Sequence, residues 1–476
     1  MDWLIALLLL PLPLFGLLTP AVDQLFRILR RNLVPYWTMA GLAVSLSSAL
    51  FLLLWIHPPY TLLSGVLLLD PLSLFFAVVF LFISLLVNVT SISYMKQTEN
   101  PLAYYGLLLF STLGMMLVAL SVDLVVLFVS WELMSVPTYV LTGILKKDRA
   151  SNEAAVKYFL TSALSSGLLI YAISLVFGVT GSTNILIISE RLSSQRLLLE
   201  PMTVLAIALF TAGFGMKVAA VPFHMWIPDA YEGAPTTIAA LLAAGTKAGG
   251  FAALLRVFVI ALTLFKAEWS AIFAVIALLT MTLGNVGALM QKSFTRLLAY
   301  SSIAQSGYVM IGLAAPTTLG IGGALFHILN HSIMKSAAFF AAATIMMTLS
   351  TTTLEGYSGL GKRMPYTAFA LTISLLALAG VPPLNGFMSK LVLFTAAVES
   401  HIYWLAVAGV LNSAFSLGYY GWVIKRMYLD AAPDMARVKE SPLFVGVLAL
   451  SAAIIILIGL YPEPVLSLTR QIAAGL

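Results

Sequence analysis

Eight ionisable residues lie within, or one turn inside, long apolar runs: Glu132, Lys157, Lys217, Lys247, His327, His331, Lys335 and Lys390. A charge held at membrane depth costs about 2.5–3.5 kcal/mol on the insertion scale, so each needs a reason to be there. Together they suit proton transfer. A lysine taken out of water holds its proton less tightly, and a nearby carboxylate restores that hold. At about 5 Å and an effective dielectric near 20 the pair interaction is about 3 kcal/mol, roughly a hundredfold in proton affinity. Moving Glu132 toward or away from Lys217 would therefore load or release a proton. Histidine titrates near neutrality and relays through either ring nitrogen.

Spacing refines the picture. Glu132 sits in Trp131-Glu-Leu-Met-Ser135, and Lys217 falls just before a proline-containing break. Lys247 lies in Gly245-Thr-Lys-Ala-Gly-Gly250, and Lys390 follows a second break. His327, His331 and Lys335 recur at i, i+4 and i+8, which stacks them along one broad helix face over about 12 Å at roughly 1.5 Å per residue. Structural readings stand beside these. Lys217, Lys247 and Lys390 could fix helix packing through salt bridges, with Glu132 as a neutralising partner. Lys157 is one turn into its run with Glu153 as its i−4 neighbour, so position alone serves a snorkelling lysine equally well. His327 and His331 lack an evident third ligand for a metal. Arg256 is expected to snorkel from the end of its run.

The elements that must position these residues are membrane spans. The chain is 61% hydrophobic and 9% charged, against about a quarter charged in a soluble domain. Its mean hydropathy is +1.02. Several runs reach the roughly 20 apolar residues that a spanning helix needs. An all-α integral membrane protein follows, with about fourteen transmembrane helices at 2–20, 35–56, 69–94, 104–120, 122–145, 153–178, 201–224, 236–262, 268–290, 295–314, 318–348, 366–397, 402–428 and 441–463. The first run lacks a basic n-region and a small-residue cleavage site, so it reads as a span rather than a signal peptide.

The seventh and twelfth spans are interrupted, at Gly215-Met-Lys-Val-Ala-Ala-Val-Pro222 and Gly380-Val-Pro-Pro-Leu-Asn-Gly386. Proline removes a helix hydrogen bond and glycine relaxes the backbone. The breaks lie five spans apart, so the two broken helices enter the bilayer from opposite sides. Within one transmembrane domain over 1–476, this suits two inverted five-helix repeats, 104–262 (spans 4–8) and 268–428 (spans 9–13), a pattern that points to an ion site. Two packing kinks are the plainer alternative.

Loop charge sets orientation. Loops after odd-numbered spans carry most basic residues: Arg27, Arg30 and Arg31, Lys96, Lys146, Lys147 and Arg149, Lys292 and Arg296, Lys362 and Arg363, then Lys425, Arg426, Arg437 and Lys439. Loops after even-numbered spans hold Arg191, Arg196 and Lys266. The positive-inside rule places the odd loops in the cytoplasm and both termini on the outer face. The basic residues in short loops give a net charge of +6 without indicating nucleic acid. With no cysteine, thiolate-ligated clusters, cysteine zinc sites and disulfides are excluded. No P-loop, dinucleotide fingerprint or His-Glu-x-x-His zinc helix occurs. A haem carrier is disfavoured too, since His57 and His401 lie near span ends.

The run Pro222-Phe-His-Met-Trp-Ile-Pro-Asp-Ala-Tyr-Glu-Gly-Ala-Pro-Thr236 resembles the signature after the broken seventh helix in the antiporter-like subunits of complex I and its relatives. Its Tyr-Glu-Gly form is similar to the N-type subunit. So are Ser151-Asn-Glu-Ala-Ala-Val-Lys-Tyr-Phe-Leu160, Ser165-Ser-Gly167, Thr180-Gly-Ser-Thr-Asn184 and Gly386-Phe-Met-Ser-Lys390, where the M-type usually has glutamate. The likeness runs from about residue 65 to the C-terminus, and the long lateral helix of L-type subunits has no room.

This resemblance implies a fourteen-helix fold with two inverted repeats. It implies that Glu132 and Lys217 form a coupled pair, that Lys157 and Lys247 continue the hydrophilic axis, and that Lys390 is the exit-side group. The implied role is a non-redox, proton-translocating subunit of an oxidoreductase taking electrons from NADH, reduced deazaflavin or ferredoxin to a quinone-type acceptor. Implied partners are neighbouring antiporter-like and small membrane subunits and a hydrophilic redox arm in the cell (inner) membrane, with no cofactor on this chain. The alternative is the D-type subunit of a multi-subunit Na+/H+ antiporter, which shares the fold and most of these charges.

Overall fold

The computed structural model describes residues 2–28, 33–55, 59–95, 101–194, 201–431 and 436–476. Arg30, Arg31, His57, Lys96 and Arg196 lie outside the described residues. The chain divides into two compact units, one built from the chain up to Val218 with Gly233–Lys266, the other from Ala219–Glu232 with Ala267–Leu476.

In the first unit, α1 (Asp2–Leu9) and α2 (Pro11–Ile28) lead into α3 (Val34–Trp55). A short antiparallel hairpin, Tyr60–Leu62 with Leu67–Leu69, pairs Tyr60 with Leu69. It precedes α4 (Pro71–Tyr94), α5 (Pro101–Leu120), α6 (Leu124–Thr142) and α7 (Arg149–Thr180). Next come α8 (Ile185–Ser194) and α9 (Pro201–Lys217). After an excursion into the other unit the chain returns as α11 (Thr236–Ala261). Starts are fixed by carboxylate caps that satisfy otherwise orphaned amides. Asp70 and Ser73 form a reciprocal capping box on α4. Asp123 accepts from Val125 and Val126 at the head of α6 and takes the Thr183 hydroxyl at 2.5 Å.

The second unit opens with α10 (Trp226–Gly233) and continues as α12 (Lys266–Leu289), α13 (Phe294–Ala314) and α14 (Thr318–Leu349). Then follow α15 (Pro365–Ala379), α16 (Asn385–Glu399), α17 (Tyr403–Leu429), α18 (Pro442–Leu460) and α19 (Glu463–Ala474). Here Arg296 joins Asp229 at 2.8 Å and Glu232 at 2.9 Å, tying α10 to the start of α13.

The all-α membrane architecture is therefore as expected. Among the described residues, ten helices are long and apolar enough to cross a bilayer, and the pair α1–α2, bent by 53°, makes an eleventh candidate. Helices α9 and α15 are apolar but shorter. They are the front halves of the two interrupted spans. Helix α9 stops at Lys217 and α10 starts at Trp226, while α15 stops at Ala379 and α16 starts at Asn385. Both breaks stand where the Gly/Pro clusters place them. Gly380 is left-handed at φ +87°, a conformation that only glycine adopts without strain.

Helix α11 carries a feature that hydropathy does not show. It widens into π-helical turns at Leu242–Thr246 and Leu255–Ala261, on either side of the segment that begins with Lys247. Such turns add a residue to the helical register and recur at functional sites.

Candidate functional site

In the first unit the site forms around the last residue of α9. Lys217 is 4% exposed, and its ammonium donates to Ser135 Oγ and Tyr158 OH, both at 2.8 Å. It also lies 5.1 Å from the centre of the Tyr158 ring, 5.8 Å from Trp131 and 5.9 Å from Tyr139. Two oxygens and three π faces thus replace the water that a cation loses on burial. Thr138 Oγ1 lies 3.1 Å from Tyr158 OH and gives its own proton to the Ser135 carbonyl. Tyr158 therefore accepts from Lys217 and passes its proton toward Thr138.

Glu132 sits one turn before Ser135 on α6, half-buried. Its Oε1 takes the Ser166 hydroxyl in a short hydrogen bond. Lys217 thus donates to Ser135 and Tyr158, while the carboxylate accepts from Ser166. Lys247 is 2% exposed, at the close of the first π turn. Gly250, on the next turn, lies against the Lys217 stem. A Cβ there would meet Val218 Cγ1 at 2.8 Å and Lys217 Cβ and Cγ at 3.4 Å, so only glycine lets α11 approach α9 this closely.

Lys157 is placed differently from the expectation of a hydrophilic-axis residue. Its side chain is 47% exposed and pairs with Glu153 at 2.8 Å. Tyr158, the next residue, turns inward to Lys217. Sequence reasoning missed Tyr158, although Ser151, Ala154, Tyr158, Ser162 and Ser165 recur at helical spacing and are all buried. Arg256 corrects the snorkelling expectation. It is fully buried and grips Asp70 in a bidentate pair at 2.7 Å, with two further bonds to the Ala119 carbonyl at 3.0 and 2.9 Å. A planar five-donor fork has ample partners there and no need to reach for water.

In the second unit the helix break makes the site. Ending α15 at Ala379 frees the carbonyls of its last turn. Lys390 donates to Leu378 O at 2.9 Å, Ala379 O at 3.1 Å and Ser413 Oγ at 3.0 Å, and lies 4.4 Å from the Tyr308 ring centre. The negative end of a helix dipole thus holds the cation. A cavity of about 320 Å³ lies alongside, lined by Gly380, Lys390, Phe394, Ser413 and Leu417 among others.

His327, wholly buried on α14, has Nδ1 at 2.9 Å from Ser389 Oγ and Nε2 at 3.0 Å from Gln305 Oε1. With both ring nitrogens engaged, its partners are hydrogen-bonding groups of α13 and α16. His331 is 4% exposed one turn on, and Lys335, fully buried, donates to Ser301 Oγ and to Leu298 O at 3.3 Å. Ser301 Oγ continues to Tyr420 OH at 2.6 Å. The structure thus joins His327 to the Lys390 cradle through Gln305, which donates to the same Leu378 carbonyl, and gives Lys335 its own hydroxyl pair. Gln305, a mid-span amide that hydropathy leaves unremarked, was the available signal for this network.

Buried lysines on broken helices, each held by hydroxyls and aromatic rings, are the common element of both units. The family model described as "NADH:quinone oxidoreductase/Mrp antiporter, TM" matches residues 121–416. The chain belongs to this transmembrane family. A second model, "NADH-Ubiquinone oxidoreductase (complex I), chain 5 N-terminus", matches residues 55–105. The chain is 41% identical over 424 residues to F(420)H(2) dehydrogenase subunit N of Methanosarcina mazei, covering 87% of this chain and 86% of that one. It is 41% identical over 408 residues to NADH-quinone oxidoreductase subunit N of Trichlorobacter lovleyi, covering 85% and 83%. Among solved structures, a chain of respiratory complex I from Thermus thermophilus with bound aureothin is 28% identical at a TM-score of 0.81, over 97% of this chain and 99% of that chain. The N-type resemblance read from the Tyr231-Glu-Gly233 segment agrees with both relatives.

Proposed function

We propose that this family member is the N-type, non-redox proton-translocating membrane subunit of a complex I-like oxidoreductase. The observation that carries the reading is Lys217, buried at the end of a broken helix between Tyr158 and Ser135, the latter one turn along α6 from Glu132. Its proton moves when the partner set changes, and Glu132 is the group whose approach strengthens the lysine's hold. Lys247 continues the string in the first unit, and His327, His331, Lys335 and Lys390 form the string in the second. Lys157 belongs to the proposed axis through resemblance alone, because its side chain lies on the exposed face of α7.

The remaining assignments belong to the same reading. Electrons enter a hydrophilic partner arm from NADH, reduced deazaflavin or ferredoxin and leave to a quinone-type acceptor, while this chain carries no cofactor. It lies in the cell (inner) membrane with both termini outside, supported by the basic loops Lys146–Arg149 and Lys425–Lys439. Residues 104–262 and 268–428 are two inverted repeats, supported by the matching interruptions after Lys217 and Ala379.

The D-type subunit of a cation/proton antiporter is the second reading, because the matching family description names both groups. Proton uptake into inverted membrane vesicles, driven by the electron donor, separates the two. Donor-driven uptake that Lys217→Ala removes supports the first reading. Uptake driven only by a sodium gradient, with no redox subunits co-purifying, supports the second.

A further inference from the structure

Gln305 bridges two groups that cannot exchange roles. Its amide Nε2 lies 2.9 Å from the Leu378 carbonyl, and its Oε1 lies 3.0 Å from His327 Nε2. A carbonyl only accepts, so the amide nitrogen must face Leu378. Flipping the amide would set two acceptors against each other. Oε1 therefore faces His327, and His327 Nε2 must carry a hydrogen to meet it. Leu378 O is further held by Lys390 at 2.9 Å, so the carbonyl that orients Gln305 is charged by an ammonium on its other lone pair.

The opposite ring nitrogen has freedom that Nε2 lacks. His327 Nδ1 faces Ser389 Oγ at 2.9 Å, and the same oxygen lies 3.2 Å from the Gly386 carbonyl. In the neutral ring the Ser389 hydroxyl donates to Nδ1. When Nδ1 gains a proton, the ring donates to Ser389 and the hydroxyl hydrogen turns to Gly386 O. Both protonation states are fully hydrogen-bonded with no heavy atom moved.

We propose that Gln305 locks His327 in the Nε2–H tautomer, so that the histidine takes up and releases its proton only at Nδ1, through Ser389. Gln305 is a positioning residue: it touches the ring at the nitrogen that does not exchange. It also closes the direct line from His327 to Lys390, because a carbonyl accepting from both sides and a neutral amide do not pass a proton between them. The groups around the ring are Gln305 and Tyr308 on α13 and Ser389 on α16, with Lys390 beyond Gln305 on the same Leu378 carbonyl. The assignment rests on the proton-transfer reading for its purpose, but the tautomer itself is measurable without turnover.

The test is magic-angle-spinning NMR of the full chain in lipid with 15N,13C-labelled histidine. The chain has five histidines, and subtraction of the His327→Asn spectrum identifies the ring in question. The native chain is expected to show one tautomer with a protonated Nε2 and a bare Nδ1. A protonated Nδ1 with a bare Nε2 would overturn the proposal, whatever the fate of any variant. Gln305→Met, close in volume, is expected to give a mixture of both tautomers, and an unchanged spectrum would remove Gln305 from the role. Ser389→Ala is expected to keep the Nε2–H signature while slowing donor-driven proton uptake at least tenfold. Undiminished uptake would overturn exchange through Ser389. Loss of uptake control by Lys217 with the tautomer intact would instead count against the proton-transfer reading alone.

Discussion

Lys217 Nζ stands 2.8 Å from Tyr158 OH, while the adjacent Lys157 points to the exposed face and pairs with Glu153. Two consecutive residues on one helix thus divide into an inner hydrogen-bond partner of Lys217 and an outer ion pair. Successive residues turn about 100° around a helix, so they cannot both face the same neighbour.

Removing the lysine tests its proposed role as proton carrier. Lys217→Ala is expected to abolish donor-driven proton uptake in vesicles while the chain still assembles, since alanine fits the space and favours helix. Lys425→Ala, at an exposed pair with Asp430, is the matched control and is expected to pump normally. Equal losses from both substitutions would make Lys217 structural.

The hydroxyl of Tyr158 is separable from its ring. Tyr158→Phe keeps the π face and deletes one hydrogen bond to a charged group, worth about 1.5–3 kcal/mol. Proton uptake is expected to fall by roughly ten- to a hundredfold at that energy. Lys157→Met removes an exposed pair and is expected to change thermal stability of the purified chain by less than about 0.5 kcal/mol. A larger loss for Lys157→Met than for Tyr158→Phe, in both assays, would reverse the assignment.

Hydropathy and the Gly/Pro clusters were enough to place the long apolar helices and both interruptions, because span length and backbone breaking are local properties of the chain. They did not fix the count of fourteen or show the short helices α8 and α19. Which side chains meet is a different matter. Arg256 finds Asp70 across 186 residues, and no local pattern distinguishes that partner from water at the membrane surface. Lys390 was legible by its depth, but the carbonyls that hold it exist only because α15 ends at Ala379. The π turns around Lys247 leave no mark on composition, since every residue from Leu242 to Thr246 is compatible with an ordinary helix. Gln305 was visible as a mid-span amide, yet its meaning depends on two partners from other segments, Leu378 and His327.

The buried pair of Arg256 with Asp70 gives a stability test. Arg256→Ala leaves Asp70 without the fork that neutralises it, and breaking a buried pair from one side costs about 3–5 kcal/mol. Asp70 also caps α4 through Ser73, so the damage spreads to the start of that helix. The purified chain is expected to unfold at markedly lower temperature in detergent. The double substitution Arg256→Met with Asp70→Ser, which removes the orphaned charge and keeps a cap, is expected to recover most of the loss. A double variant as unstable as the single one would show that the ion pair was not the cause.

Gly380 links backbone conformation to the second lysine. Alanine at φ +87° costs about 1–2 kcal/mol, and its Cβ would stand 3.1 Å from Lys390 Cδ and 3.4 Å from its Nζ. The ammonium would be displaced from the carbonyls of Leu378 and Ala379, because the stem has to yield before the backbone does. Gly380→Ala is therefore expected to lower proton uptake severalfold while costing only the strain energy in stability. Lys390→Met should abolish uptake, because it deletes the ammonium without touching the break. If Gly380→Ala instead pumped normally with the strain cost still visible in thermal unfolding, the helix break would serve packing alone, and the carbonyl cradle would not set where Lys390 holds its proton.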